Sequence, residues 1–221
     1  MKLTSNSRNP MNTKEIRELK KTLTLNDIQR SILVGTLLGD GHLETQDNGK
    51  TYRLKLEHQI AQRDYLQWIY DQFKEWIPGG IRSRIKKNGY EYVLCDTYSH
   101  GAFRFYAQQF YPHDRKEIPK LIEKILDPMV LAIWFMDDGS WKSNQHKTFI
   151  IHTLGYSKKD LELIQKILKK KFDLETSLHA QKGKYWRLYI KSESALKFRD
   201  LIEPYTSQIP SMQNKMGNRN A

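Results

Sequence analysis

The chain reads as an α+β protein made of two copies of an αββαββα unit, each with its own antiparallel sheet. Three repeated features predict this. An apolar helical run ends on an acid and a glycine twice, at Leu33-Val34-Gly35-Thr36-Leu37-Leu38-Gly39-Asp40-Gly41 and at Leu131-Ala132-Ile133-Trp134-Phe135-Met136-Asp137-Asp138-Gly139. Alternating, strand-like segments with turn residues follow each run. Each half then closes on a similar phrase, Lys116-Glu117-Ile118-Pro119 and Gln208-Ile209-Pro210. The period is far longer than the roughly 20–50 residues of a solenoid, so this is a duplication.

The first run begins near Thr24 or Asn26, either of which can cap a helix, and ends at Gly41. Thr51 to Gln59 alternates as a strand, with Tyr52, Leu54 and Leu56 on one face and Arg53, Lys55, Glu57 and Gln59 on the other. Ile60 to Trp76 is helical, and its stripe of Tyr65, Trp68, Ile69, Phe73 and Trp76 is core packing. Ile81, Ser83 and Ile85 alternate with Arg82, Arg84 and Lys86, and Asn88-Gly89 supplies a hairpin turn into Tyr90 to Thr97. Ser99 to Tyr111 is the next helix. The short stretch from Lys120 to Asp127 joins the halves without a low-complexity linker, so the two lobes are expected to pack closely.

In the second half Asp127 caps a helix, Pro128 occupies its first position and Gly139 ends it. Lys147 to Thr153 and Thr176 to Ala180 read as strands, and Lys182-Gly183 turns into a strand from Lys184 to Lys191. Ser157 to Phe172 and Ser192 to Tyr205 read as helices, the first opening on a capping-box-like Ser157 and Asp160. The expected organisation is an N-terminal extension over 1–23, a first lobe over 24–120, a second over 121–216 and a tail over 217–221.

The 221 residues suffice for a real core, and a net charge of +12 points to a polyanionic partner, nucleic acid ahead of a membrane surface. No apolar run approaches the roughly 20 residues of a membrane span. The first 22 residues are polar and lack the apolar centre of a signal peptide. Cys95 is the lone cysteine, in a strand-like run where packing is its expected role, and Cys/His metal spacing is absent. The setting expected is intracellular, either organellar (mitochondrion or chloroplast) or a microbial cytoplasm.

An acid at a helix C-terminus faces the negative end of the dipole. Two such acids at matching points of two similar helices suggest a paired site. Parallel, side-by-side helices would bring Asp40 and Asp138 together, with Gly35, Gly39 and Ala132 permitting close approach. The bulky Ile133, Trp134 and Phe135 are then expected to turn toward their own lobe. Converging carboxylates and unsatisfied carbonyls repel each other yet suit a hard divalent cation, Mg²⁺ with Mn²⁺ as substitute. Asp40 and Asp138 are the principal candidate ligands, with Gly39 and Asp137 beside them.

The polar strand faces resemble β-ribbons that enter a major groove. Candidate DNA contacts are Arg53, Lys55, Glu57, Gln59, Arg82, Arg84 and Lys86 in the first half. Those of the second are Lys142, Asn144, Gln145, Lys147, Gln181, Lys184, Arg187 and Lys191. The runs Lys20-Lys21 and Lys169-Lys170-Lys171 read as solvated helix surface.

On the doubled motif, and on Trp134-Phe135-Met136-Asp137-Asp138-Gly139 in particular, the chain resembles the LAGLIDADG homing endonucleases in their single-chain, two-motif form. The resemblance runs from about Thr24 to Lys215. It implies two pseudo-symmetric lobes whose sheets form a DNA-binding saddle, and Mg²⁺-dependent double-strand cleavage of a long, asymmetric site by a monomer. By correspondence Asp40 and Asp138 are catalytic metal ligands, one for each strand, and Asp137, opposite Gly39, is secondary. The family's site lysines correspond to Lys116 and Lys215. An RNA maturase acting on intron RNA, or a non-catalytic DNA-binding protein, is the alternative use of the same fold.

Overall fold

The computed structural model describes residues 13–143, 145–183 and 185–217; Asn144 and Lys184 lie outside them, as do 1–12 of the expected extension and 218–221 of the expected tail. Helix α1 (Lys14–Thr22), capped by Thr13, buries none of its residues. Leu23 and Leu25, just after it, anchor the segment in the core.

Helices α2 (Asp27–Leu38) and α6 (Pro128–Asp138) lie against each other at the centre. Asn26 caps α2 in a capping box with Gln29, and Asp127 caps α6 one residue before Pro128. Ser31 of α2 donates to the capping carboxylate of Asp127 at 2.8 Å, so the two N-terminal ends are tied together. Val130 through Asp137 are buried on every side, which explains why α6 shows no amphipathic pattern.

Each central helix runs into a four-stranded antiparallel sheet. The first contains β1 (His42–Glu44), β2 (Arg53–Gln59), β3 (Arg82–Ile85) and β4 (Glu91–Asp96), in the order β1-β2-β4-β3. The second contains β5 (Gly139–Trp141), β6 (Phe149–Ile151), β7 (Thr176–Gln181) and β8 (Tyr185–Ile190), in the order β5-β6-β8-β7. The identical strand order matches the expected duplication. Helices α3 (Arg63–Gln72), α4 (Arg104–Phe110), α7 (Lys158–Phe172) and α8 (Ser192–Thr206) accompany the sheets, and α5 (Ile122–Ile125) joins the halves. A final turn, α9 (Gln213–Met216), packs on β5. One apolar core runs through both halves, with Trp76, Trp134, Phe135 and Cys95 inside it.

Several local details differ from or refine the expectations. The helix expected over Ile60 to Trp76 is a 3₁₀ turn, α3 and a second 3₁₀ turn, because the Phe73 N–H is shared between the carbonyls of Ile69 and Tyr70 and tightens the chain. The strand expected over Lys147 to Thr153 is only Phe149–Ile151, since Lys147 adopts a left-handed φ of 45° closing the preceding loop. The hairpin turn expected at Asn88-Gly89 does form, with Gly89 left-handed and the Asn88 side chain accepting from the Tyr90 N–H. Strand β3 has no buried face: it is the sheet's edge, beyond the reach of the core, and Ile85 is 74% exposed.

The α2–α6 contact also differs from expectation. A Cβ added at Gly35 would lie 2.5 Å from Ile133 Cβ, and one at Gly39 would lie 2.4 Å from Asp137 Cβ. Ile133 therefore faces the partner helix. Glycine on α2 makes room for a large side chain on α6, so only one helix needs to be small at each crossing point.

Candidate metal centre and nucleic-acid face

The adjacent C-terminal ends of α2 and α6 bring three acids together. Asp137 is buried and acts as a clamp: its Oδ2 accepts from the backbone N–H of Asp40 at 3.0 Å, and its Oδ1 accepts from the Tyr65 hydroxyl at 2.8 Å. Burial and the negative charges of Asp40 and Asp138 push its pKa far above the usual carboxylate range. Asp138 is pushed up to about 7 by burial and by Asp40, against the pull of Lys116 and Lys215. Asp40 stands just beyond α2, with its side chain about half exposed.

The two lysines close the helix ends. Lys116 Nζ donates to the carbonyls of Gly39 (2.7 Å) and Gly41 (2.8 Å), and Lys215 Nζ donates to those of Met136 (2.5 Å) and Asp137 (2.9 Å). Burial lowers the pKa of both ammoniums, while all three acids hold it up. Their charges neutralise the carbonyl end of each helix dipole, which would otherwise oppose the acids. The Gly39 carbonyl, the one donor that residue could offer a metal, accepts from Lys116 Nζ and keeps its second lone pair.

Two further residues reach the site unforeseen. The Tyr156 hydroxyl donates to the Leu38 carbonyl at 2.8 Å, crossing from the second half as Tyr65 crosses from the first. His58 of β2 is buried with Leu54 and Leu56, and its Nδ1 is 3.8 Å from Asp40 Oδ2. Strand alternation puts His58 on the core face, and that was the available signal. Ligand atoms of Asp40, His58 and Asp137 all lie within 4.8 Å of one another. Raised carboxyl pKa values and clustered oxygens are the condition that a divalent cation relieves, so the residues fit one.

The outer face of the first sheet carries Arg53, Lys55, Glu57 and Gln59 on β2, and Arg82 and Arg84 on β3, with Lys86 just past its end. Their charges are not free. Arg53 and Lys55 pair with Glu44, Arg82 with Asp96, and Arg84 and Lys86 with Glu57; Lys86 also lies 3.8 Å over the Tyr92 ring. Glu57 therefore anchors two cations. In the second half Arg187 is on the outer face beside His179, while Gln181 ends β7 opposite Tyr185. Lys142, Gln145 and Lys147 occupy the exposed loop between β5 and β6, and Lys191 has left the sheet, 3.9 Å from Glu193. Sequence spacing missed the aromatic members of these faces, Tyr92, Tyr189 and His179; cross-strand register assigns them.

The model of the LAGLIDADG DNA endonuclease family matches residues 30–198. The chain belongs to that family. Its function class is accordingly that of a site-specific DNA endonuclease. Among relatives, a probable intron-encoded endonuclease 1 of Wickerhamomyces canadensis is 31% identical, over 93% of this chain and 91% of its own. The solved structure of the homing endonuclease I-WcaI bound to its DNA recognition sequence superposes with a TM-score of 0.83 at 29% identity, covering 96% of this chain and 95% of that one. A cytochrome b mRNA maturase bI2 of Saccharomyces cerevisiae is 27% identical over 95% of this chain and 52% of its own. No helix among the described residues is long and apolar enough to cross a membrane.

Proposed function

We propose that this family member is a monomeric, Mg²⁺-dependent homing endonuclease that makes a double-strand break in a long DNA target, with Asp40 serving one strand and Asp138 the other. The convergence of both acids at the paired ends of α2 and α6 carries the reading. One chain already holds two acids and two lysines, so no second subunit is needed to complete the site. A bound divalent cation (Mg²⁺, with Mn²⁺ as substitute) would activate water and stabilise the leaving oxygen of the phosphodiester.

The protein's own residues have separate tasks. Asp40 and Asp138 are the carboxylates that hold cations. Asp137, locked by Tyr65 and the Asp40 N–H, positions Asp40. Lys116 and Lys215 hold the helix ends and set the local charge. The outer sheet faces form the DNA-binding saddle: phosphate contacts by Arg and Lys supply affinity that falls steeply with salt, and base edges supply specificity. The intramolecular acid partners of Arg53, Arg82 and Arg84 pre-orient those side chains before DNA replaces part of the pairing. Intron RNA is a second partner supported by the likeness to the bI2 maturase over nearly the whole chain. The protein is placed in an organelle or a microbial cytoplasm by this reading.

The test is cleavage of a plasmid bearing a site selected from a randomised library. Asp40→Asn and Asp138→Asn should each abolish linearisation in Mg²⁺ while DNA affinity in Ca²⁺ stays within about threefold. Linearisation at the wild-type rate by either variant would refute the assignment.

A further inference from the structure

His58 is a side chain at the site whose burial strands both of its polar atoms. It is 2% exposed, and neither ring nitrogen has a hydrogen-bond partner. Gln62 approaches the ring without hydrogen-bond geometry. The ring packs edge-on to Tyr65 at 5.0 Å, a contact that a phenylalanine or leucine could make without stranding two polar atoms. Stranded polar atoms of this kind are costly unless a ligand completes them. A neutral imidazole has one ring nitrogen with a free lone pair, and here no hydrogen bond occupies it.

The separation of Nδ1 from Asp40 Oδ2, 3.8 Å, is too long for a hydrogen bond. It suits two ligands of one cation, because bonds of about 2.1 Å put neighbouring donor atoms on the order of 3–4 Å apart. A carboxylate oxygen of Asp137 completes a cluster within 4.8 Å. Each Asp137 oxygen takes one hydrogen bond, leaving acceptor capacity on both.

The second half does not repeat the arrangement. His42 pairs with Lys55 as Ser140 pairs with Ile150, so three residues further along the chain His58, on β2, corresponds to Thr153, just past the end of β6. Thr153 offers oxygen in place of nitrogen, and its hydroxyl is fixed by donating to the Trp186 carbonyl at 2.9 Å. A cavity of about 390 Å³ beside Asp138 is lined by Lys116, His152, Thr153 and Tyr156, and His152 there contacts Ser140 at 3.1 Å through Nε2.

We propose that His58 is a nitrogen ligand of the cation held by Asp40, so that the two metal sites differ in chemistry: mixed nitrogen and oxygen at Asp40, oxygen alone at Asp138. This rests on the assignment of Asp40 as a metal ligand. Imidazole favours Mn²⁺, Co²⁺ and Ni²⁺ over Mg²⁺, which takes oxygen. The Asp40 site therefore binds the transition ions preferentially, and loss of His58 narrows that preference.

The experiment is electron spin-echo envelope modulation of Mn²⁺ bound to the DNA-free full-length protein carrying ¹⁵N-histidine, so that only imidazole nitrogens give the ¹⁵N signature. The expected result is a histidine coupling that disappears in His58→Gln and persists in His152→Gln. Titration should show Mn²⁺ and Co²⁺ affinity at this site falling at least about tenfold in His58→Gln while Mg²⁺ affinity changes less than about threefold. Asp40→Asn, which leaves His58 in place, must weaken the same coupling, and this keeps the idea testable if His58→Gln fails to fold. Mn²⁺ that binds in an Asp40-dependent way without histidine coupling, or with coupling indifferent to His58→Gln, overturns the proposal and leaves the endonuclease reading intact. Mn²⁺ binding that depends on neither Asp40 nor Asp138 overturns both.

Discussion

Gly39→Ala is the sharpest probe of how the site is built, because one methyl group would meet both the packing and the chemistry. Its Cβ would stand 2.4 Å from Asp137 Cβ and 2.5 Å from Asp137 Oδ2, distances no relaxed side chain tolerates. Either α2 and α6 separate, at an overpacking cost of about 1–3 kcal/mol, or Asp137 rotates and gives up its bonds to Asp40 and Tyr65, each worth about 0.5–1.5 kcal/mol net. Either route gives a loss of about 1–3 kcal/mol, or a melting temperature lower by roughly 2–12 °C for a chain of this size. Urea unfolding of the full-length protein in EDTA measures it. The control is Gly35→Ala, whose methyl would meet the aliphatic Ile133 and the Val130 carbonyl oxygen but no acidic side chain. That variant should lose stability by overpacking alone.

The decisive variant is the double mutant Gly39→Ala/Asp137→Gly, which moves the glycine from one helix to the other. Asp137→Gly alone strands the Tyr65 hydroxyl and adds about 1 kcal/mol of helix-interior glycine cost. In the double mutant the steric conflict has no second partner. Its destabilisation should fall short of the sum of the singles by about 1–3 kcal/mol, as expected for residues in direct contact. Additivity within about 0.5 kcal/mol would refute the crossing geometry at Gly39 and, with it, the account of Asp137 as a clamp on Asp40.

With Asp138 pushed up to about 7, its ionised fraction rises about tenfold from pH 6 to pH 8, so cleavage at subsaturating Mg²⁺ should rise similarly and flatten when Mg²⁺ saturates. Lys116→Met removes a charge that lowers this pKa, so the midpoint should move to higher pH; a shift to lower pH contradicts the assignment. Without metal, the folded pKa lies above the unfolded 3.8, so this group's contribution to stability is complete below 3.8 and is lost as pH rises through about 7. Melting curves in EDTA against Mg²⁺ across that window should diverge as pH increases. Lys116 and Lys215 substitutions should slow cleavage more than they weaken DNA binding, measured by single-turnover rates beside affinity in Ca²⁺; a dominant binding defect would make them phosphate anchors instead.

What the sequence made legible was whatever depends on short-range pattern. Caps at Asn26 and Asp127, the duplicated succession of helices and strands and the family motif all lie in local stretches, and the structure reproduces the caps and the succession. What depends on register or on a distant partner was not legible. The basic face of the first sheet was readable from alternation, but its ion pairs with Glu44 and Asp96 require knowing which strands are neighbours. His58 could be assigned to the core face, whereas its approach to Asp40 depends on how β2 passes the end of α2.

Asp137 shows how a departure from symmetry can be a structural requirement. The two motifs match at nearly every chemically important position, yet Gly39 corresponds to Asp137. From sequence alone this looks like one motif having drifted. The packing gives a physical reason: at that crossing the helix axes are so close that two Cβ atoms would be 2.4 Å apart, so the two positions cannot both carry a side chain. One helix must have glycine there. The other is then free to place a carboxyl group in the vacated space, where it holds the backbone N–H of Asp40 and is itself held by Tyr65. A duplicated scaffold with its helix ends in contact can be symmetric at that crossing only with glycine on both helices, and any side chain there makes the two halves unequal. The inequality begins at Gly39 and Asp137, and the His58 and Thr153 pair is where it would extend into the chemistry of the two metal sites.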